Sequence, residues 1–288
     1  MGSHMIGYKY RAINKYSIDA LERNIVYFSK YTDFNDPFEF STPFPDLCKM
    51  YTRAATGVDR LYEDGKLTQA DHQHLRQVCQ SIVLNGGDGK DEIHKKIREK
   101  MSNTGVYSMS EVNDEILMWS HYADNHRGFC IGFHDLHKSM RITPTVMPIN
   151  YIDEYTDLSN PQIVLDFYSE MFYKNRHLPE RKWLKKYETL KKIYTRTDDQ
   201  KMAVAVLTDK YKKWEYEREF RLICEHSTGL KKHDPESIRT ITFGLRASDK
   251  DKEHIISICQ NSQKSHVEFY CAEKAPDLFK LNIKALNT

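Results

Sequence analysis

The chain has 288 residues, 40% of them apolar, enough for one large domain or two small ones with a sizeable core. Its 43 basic and 41 acidic side chains nearly cancel to a net charge of +2, which excludes a long-range pull towards nucleic acid and leaves only local contacts. No run of about 18 apolar residues is present and no charged segment followed by an apolar one opens the chain, so neither a membrane span nor a secretory signal is readable and a cytoplasmic protein is expected.

The opening MGSHM (1–5) reads as the remnant of a cleaved affinity tag, and 6–288 is expected to form a single domain. Tyr8–Arg11 and Asn24–Ser29 are rich in aromatic and β-branched residues and read as short strands. Between them Ser17 is placed to cap a helical turn. Asn35-Asp36-Pro37 forces a turn, because proline fixes its own φ and pushes Asp36 away from helix. A helical insertion follows over about 46–103, broken at Asn85-Gly86-Gly87-Asp88-Gly89 by a plain loop, with no Gly-Lys-Ser/Thr to make it a phosphate loop.

The run from Tyr107 to Phe133 packs Ser108, Ser110, Trp119, His121, Tyr122, His126 and Arg127 into a short stretch that ends in an apolar strand. Its two histidines are five residues apart, a separation that does not turn both rings to one side of a helix, so no metal site is expected. His121 and Tyr122 can instead offer a neutral imidazole and a phenol to a ribose or phosphate, or simply fill a core with Met118 and Trp119. Asn125–Gly128 reads as a turn into the strand Phe129–Phe133. Six scattered cysteines, at positions 48, 79, 130, 224, 259 and 271 with no C-x-x-C pair, read as reduced buried thiols.

Pro144–Tyr151 suits an edge strand that tolerates Pro148. A second helical insertion is expected over about 155–212; its basic residues around Arg181–Arg196 are interleaved with acids and read as a solvated face more than a nucleic-acid stripe. In WEYEREFRLIC, Glu215, Glu217, Glu219 and Arg221 recur every second residue, which in a strand lines the three glutamates along one face. Lined-up carboxylates repel, so either a ligand or reacting centre occupies that face or solvent and nearby lysines answer the charge. Ser237–Phe243, His266–Cys271 and Phe279–Ala285 complete seven or eight strands, which together with the insertions argue an α+β fold round a mixed or antiparallel sheet.

Taken in order, Arg11 on the first strand, Ser108-Met109-Ser110 at a strand end and Glu217-x-Glu219 opening a later strand resemble the Arg-Ser-Glu class of ADP-ribosyltransferases. That resemblance implies an ADP-ribosyltransferase-like core and NAD as co-substrate. In it Arg11 holds the NAD phosphates, Ser110 fixes the glutamate and the nicotinamide ribose, and Glu219 stabilises the oxocarbenium-like centre while Glu217 meets the acceptor. Ser108, His121 and Tyr122 complete the binding wall. Met109 departs from the Ser-Thr-Ser pattern of that class. YKYR at 8–11, FNDPFE at 34–39, MWSHYADNHRGFCIGF at 118–133 and WEYEREFRLI at 214–223 resemble the bacterial family called domain of unknown function 2971. The expectation is an NAD-consuming enzyme that modifies a macromolecular acceptor, protein or nucleic acid, or hydrolyses NAD, in the manner of bacterial toxins and anti-phage effectors. The rival is a metal-dependent nuclease or nucleic-acid-binding domain in which Glu217, Glu219, Asp36 and Glu39 hold Mg²⁺ and the helices around Arg181–Arg196 contact phosphates.

Overall fold

A computed structural model describes residues 5–286 except 87–94, 96 and 100, so most of the glycine-rich break lies outside the described residues. In chain order the strands are β1 (Ile6–Arg11), β2 (Ile25–Phe28), β3 (Gly105–Ser110), β4 (Phe129–His134), β5 (Thr145–Pro148), β6 (Asn150–Ile152), β7 (Asp209–Tyr211), β8 (Glu219–Cys224), β9 (Gly229–Lys232), β10 (Ile238–Phe243), β11 (Glu268–Lys274) and β12 (Leu281–Ala285). The helices are α1 (Lys15–Arg23), α2 (Leu47–Glu63), α3 (Gln69–Leu84), α4 (Ile116–Tyr122), α5 (Gln162–Tyr168), α6 (Glu180–Thr208) and α7 (Asp249–Gln260). None of the described helices is long and apolar enough to cross a membrane.

The chain forms two compact units, one from Met1–Glu39, Lys100–Asp153 and Lys210–Thr288, the other from Phe40–Glu99 and Glu154–Asp209. The two helical insertions thus build a unit of their own together, where the sequence suggested elaborations of one domain.

The first unit is α+β, with a mixed eight-stranded sheet in the order β12-β11-β10-β4-β1-β3-β8-β5. β10 and β11 are its parallel pair, joined through α7 as a parallel crossover requires, and the remaining neighbours are antiparallel. Pro148 ends β5 at the sheet edge, where the missing N–H costs no ladder bond. Strand alternation gives the sheet two different faces. Tyr107, Met109, Phe129, Phe133, Phe220 and Leu222 turn to one side and form the main core with residues such as Leu21 of α1 and Ile255 of α7. On the other side Tyr10, Cys130, Ala272 and Leu281 pack with Met118 and Trp119 of α4. On β8 the alternation sends Phe220, Leu222 and Cys224 into the main core and turns Glu219 and Arg221 to the α4 side.

Local chemistry explains where several elements begin. Asn14, not Ser17, caps α1: its side chain accepts from Tyr16 N and Ser17 N, while Ser17 Oγ answers the Asn14 N–H at 3.0 Å in a capping box. The turn after α4 holds Asp124, Asn125 and His126 in the left-handed region, at φ of 47°, 52° and 70°. Gly128 then passes so close to β1 that a Cβ there would stand 2.1 Å from the Arg11 carbonyl oxygen. The acidic strand starts later than its alternation suggested. Lys212–Glu217 is a 3-10 turn and Arg218 takes a left-handed φ of 43°, so β8 begins only at Glu219 and Glu215 points to solvent.

In the second unit α2 and α3 pack through Ala54, Val58, Leu75 and Cys79 against Tyr168 at the end of α5. Thr68 caps α3 in a capping box with Asp71, and α6 starts directly after Pro179.

Candidate functional site

Five charged side chains meet on the α4 side of the sheet, all within the first unit. The Asn35–Pro37 turn sets one of them: Phe38 N donates to Asp36 Oδ1 at 2.9 Å and Glu39 N to the Asp36 carbonyl at 3.2 Å, which fixes the backbone from which Glu39 projects. β7 supplies Lys210, the 3-10 turn Glu217, and the first and third positions of β8 supply Glu219 and Arg221.

Lys210 Nζ donates to Glu217 and, at 2.6 Å, to Glu219 Oε2, and it lies 3.3 Å from Glu39 Oε1. Arg221 donates through Nε to Glu219 Oε1 at 2.8 Å and through Nη2 to Glu39. The second oxygen of Glu217 accepts the Tyr122 hydroxyl at 2.6 Å. Ser110 Oγ donates to the Glu217 carbonyl at 2.7 Å and accepts from Val112 N, and the Tyr151 phenol accepts from Glu219 N at 2.7 Å. Arg221 is 0% exposed, and the side chains of Glu39, Lys210, Glu217 and Glu219 are 4 or 5% exposed.

Burial on this scale costs several kcal/mol per ion unless each is paired, and here every carboxylate oxygen of the cluster faces a donor. The proton affinities follow. Burial raises the Glu219 carboxyl, but Arg221 and Lys210 outweigh it and hold the group well below the usual carboxylate range. For Glu217 burial prevails over Lys210, with Glu219 adding to it, and its affinity rises. Burial alone would lower Lys210, yet Glu219, Glu217 and Glu39 raise it, so it stays an ammonium. Burial pushes the Tyr151 phenol up to about 12.

One side of the cluster is aromatic. Trp214 lies under Lys210, whose Nζ is 5.5 Å from the ring centre, and the rings of Trp214 and Tyr216 are 5.9 Å apart. Exposed His121 stands 6.4 Å from each of them. Ser108, directly across the ladder from Arg221, carries a buried Oγ without a hydrogen-bond partner among the described residues.

Of the residues singled out in the sequence, Ser110, Tyr122, Glu217 and Glu219 converge here, His121 stands at the rim and Ser108 lies beside Arg221. Arg11 does not join them. Tyr8 pairs with Ser110, so alternation along β1 sends Arg11 to the opposite face, beside Tyr107. For the metal-centred reading, Glu39 does meet Glu217 and Glu219, but Asp36 is spent on its own turn and the Lys210 ammonium fills the space among the three carboxylates. Lys210 itself was missed. A single lysine after an apolar helix end carries no signal in sequence.

Lys9 is a third cation near the site, half-buried. Its Nζ donates to the Ser108 carbonyl at 2.6 Å and lies 4.7 Å from the Tyr107 ring centre, and burial, helped by Arg11, lowers its pKa to about 7. A folded value depressed below that of the unfolded chain makes the native state bind fewer protons between pH 7 and about 10.4. The protein therefore gains stability as pH rises through that window and loses the gain as pH falls through 7. Melting curves at pH 7 and 9.5 check this: Lys9→Met should flatten the rise.

No curated protein and no solved structure matches the chain. The model of the family described as "Protein of unknown function (DUF2971)" matches residues 118–222, the stretch that supplies Trp119, Tyr122, Lys210, Glu217, Glu219 and Arg221 to this side of the sheet.

Proposed function

We propose that the first unit consumes NAD, transferring ADP-ribose to a macromolecular acceptor or to water beside the carboxylate cluster. The observation that carries the reading is one pairing. Ser110 lies directly opposite Glu219 on adjacent strands, and its Oγ holds the Glu217 carbonyl, so the strand-end serine and both glutamates act as one piece.

Breaking the bond from ribose C1′ to nicotinamide sends its electron pair to the leaving ring and builds positive charge on the sugar. Three carboxylates set against two cations, held in place before the reaction, favour that charge. The acceptor oxygen then bonds to C1′ and gives its proton to Glu217, the carboxylate with the raised proton affinity. Half-buried Trp214 and Tyr216, with His121 beside them, offer ring faces for stacking nicotinamide. In this version Lys210 and Tyr122 position Glu217, and Arg11 has no part in catalysis.

Incubation with NAD, followed by chromatography for free nicotinamide, tests the reading. The wild-type chain should release nicotinamide, and Glu219→Gln should lower the rate by about 100-fold or more. No release, together with no rise in melting temperature at millimolar NAD, overturns it.

A further inference from the structure

The second unit presents a feature independent of that chemistry. α6 carries eight basic and four acidic side chains along 29 residues, a local excess of four positive charges in a chain whose net charge is +2. At 100° per residue, Arg181, Lys185, Lys192 and Arg196 fall within roughly 60° of arc and extend about 22 Å along the helix. All four are exposed, as is Lys182 at the border of the row.

Sequence alone suggested that acids neutralise these cations. Glu188 stands three residues after Lys185 and four before Lys192, and Asp199 three after Arg196, the separations at which helical ion pairs form. Such pairs do form elsewhere in the chain, between Lys174 and Glu170 at 3.0 Å and between Arg23 and Asp19 at 3.0 Å. Among the described residues none of the four cations of the row is ion-paired. The opposite side of α6 holds the helix to its own unit through Trp183, Tyr187 and Tyr194, whose rings pack on Phe172 and Phe167, so the cationic row is the side left to solvent.

We infer that this face of α6 docks on the phosphate backbone of a nucleic acid. A straight row of unpaired cations about 22 Å long matches the run of about six phosphates on one strand, at 3.4 Å per nucleotide. Aliphatic stems ending in ammonium or guanidinium groups read charge and not base edges, so binding is independent of sequence and steeply dependent on salt. The near-neutral whole chain does not contradict this, since contacts within a Debye length of about 8–10 Å are governed by the local excess.

Fluorescence anisotropy with labelled 20-nucleotide single-stranded DNA, single-stranded RNA and duplex DNA, each titrated with the full chain at 50 and 200 mM salt, provides the test. Binding should weaken steeply with salt for at least one of the three. Lys185→Glu/Lys192→Glu/Arg196→Glu should weaken it more than about 10-fold at 50 mM salt and reduce the logarithmic salt slope by about 2 to 3. The charge-matched control Lys232→Glu/Lys250→Glu/Lys274→Glu should change affinity by less than about 3-fold, and matching melting curves for the two variants establish that both are folded. The glutamine versions of the row, which add no acid, should show the same order. The inference is overturned by absence of binding tighter than about 10⁻⁴ M at 50 mM salt, by equal weakening in row and control variants, or by binding only to phosphatidylserine-containing vesicles.

Discussion

Lys210→Met should destabilise the protein by about 3–5 kcal/mol, because it strips a shared donor from three carboxylates that remain buried. In a chain of this size that is a fall in melting temperature of roughly 10 °C. Methionine fills much of the volume of the lysine stem, so the loss measures charge more than packing. Without the ammonium, the folded-state affinities of Glu217 and Glu219 rise above those of the unfolded chain. A raised carboxyl favours folding only below its unfolded value and opposes it at higher pH, so the deficit of the variant should be largest at pH 7 to 8 and shrink towards pH 5. Adding Glu217→Gln should recover part of the loss, since the amide needs no counter-charge, and thermal melts of the double-mutant cycle measure that coupling. A Lys210→Met protein that melts within about 2 °C of wild type would show the cluster to be energetically idle.

Trp119→Ala should rank next. The ring is fully buried, packs edge-on to Tyr10 at 5.1 Å, stacks on His126 at 6.5 Å and donates through Nε1 to the Asn113 carbonyl at 2.8 Å. Removing it leaves a large cavity and costs about 3–5 kcal/mol. The effect reaches the site as well. α4 has seven residues, too few to persist without tertiary anchorage, and its last residue is Tyr122, whose hydroxyl holds Glu217. Urea unfolding should show the loss of stability, and near-UV circular dichroism at zero denaturant should show a weakened tyrosine and tryptophan signal. Trp119→Phe keeps an aromatic ring but orphans the Asn113 carbonyl, and should cost roughly half as much.

The strands of the central sheet were legible because each is a short apolar or aromatic run bounded by turn residues. YKYR, GVYSMS and SIRTITF fall where β1, β3 and β10 are found. β9 escaped because Gly-Leu-Lys-Lys has neither β-branched nor aromatic residues, and its pairing with β2 is a tertiary decision. The glutamate spacing pointed to the correct face for the wrong local reason. Glu217 and Glu219 come together through the left-handed bend at Arg218, whereas unbroken strand alternation would also have brought Glu215 in. Arg11 shows the opposite limit: order along the chain resembled a known site, but the face on which a strand residue lands depends on register, and register is set by partners far away in sequence. Glu39 and Lys210 belong to the same class, placed by a loop and by a three-residue strand that local pattern does not reveal.

The strand order also fixes a timetable for synthesis. The three central strands β4, β1 and β3 all come from the first 134 residues, and the strands that cover their two flanks, β8 and β10, emerge from the ribosome about 85 residues or more later. In the interval a nascent three-stranded sheet presents two open edges, one of them beside a glutamate, Glu39, whose arginine partner has not yet been made. Residues 135–218 are in effect a delay line, and most of them belong to the helical unit, which has a core of its own. The vulnerable moment for aggregation of this protein is therefore a stalled chain of about 150–210 residues, with unpaired edge strands on both sides.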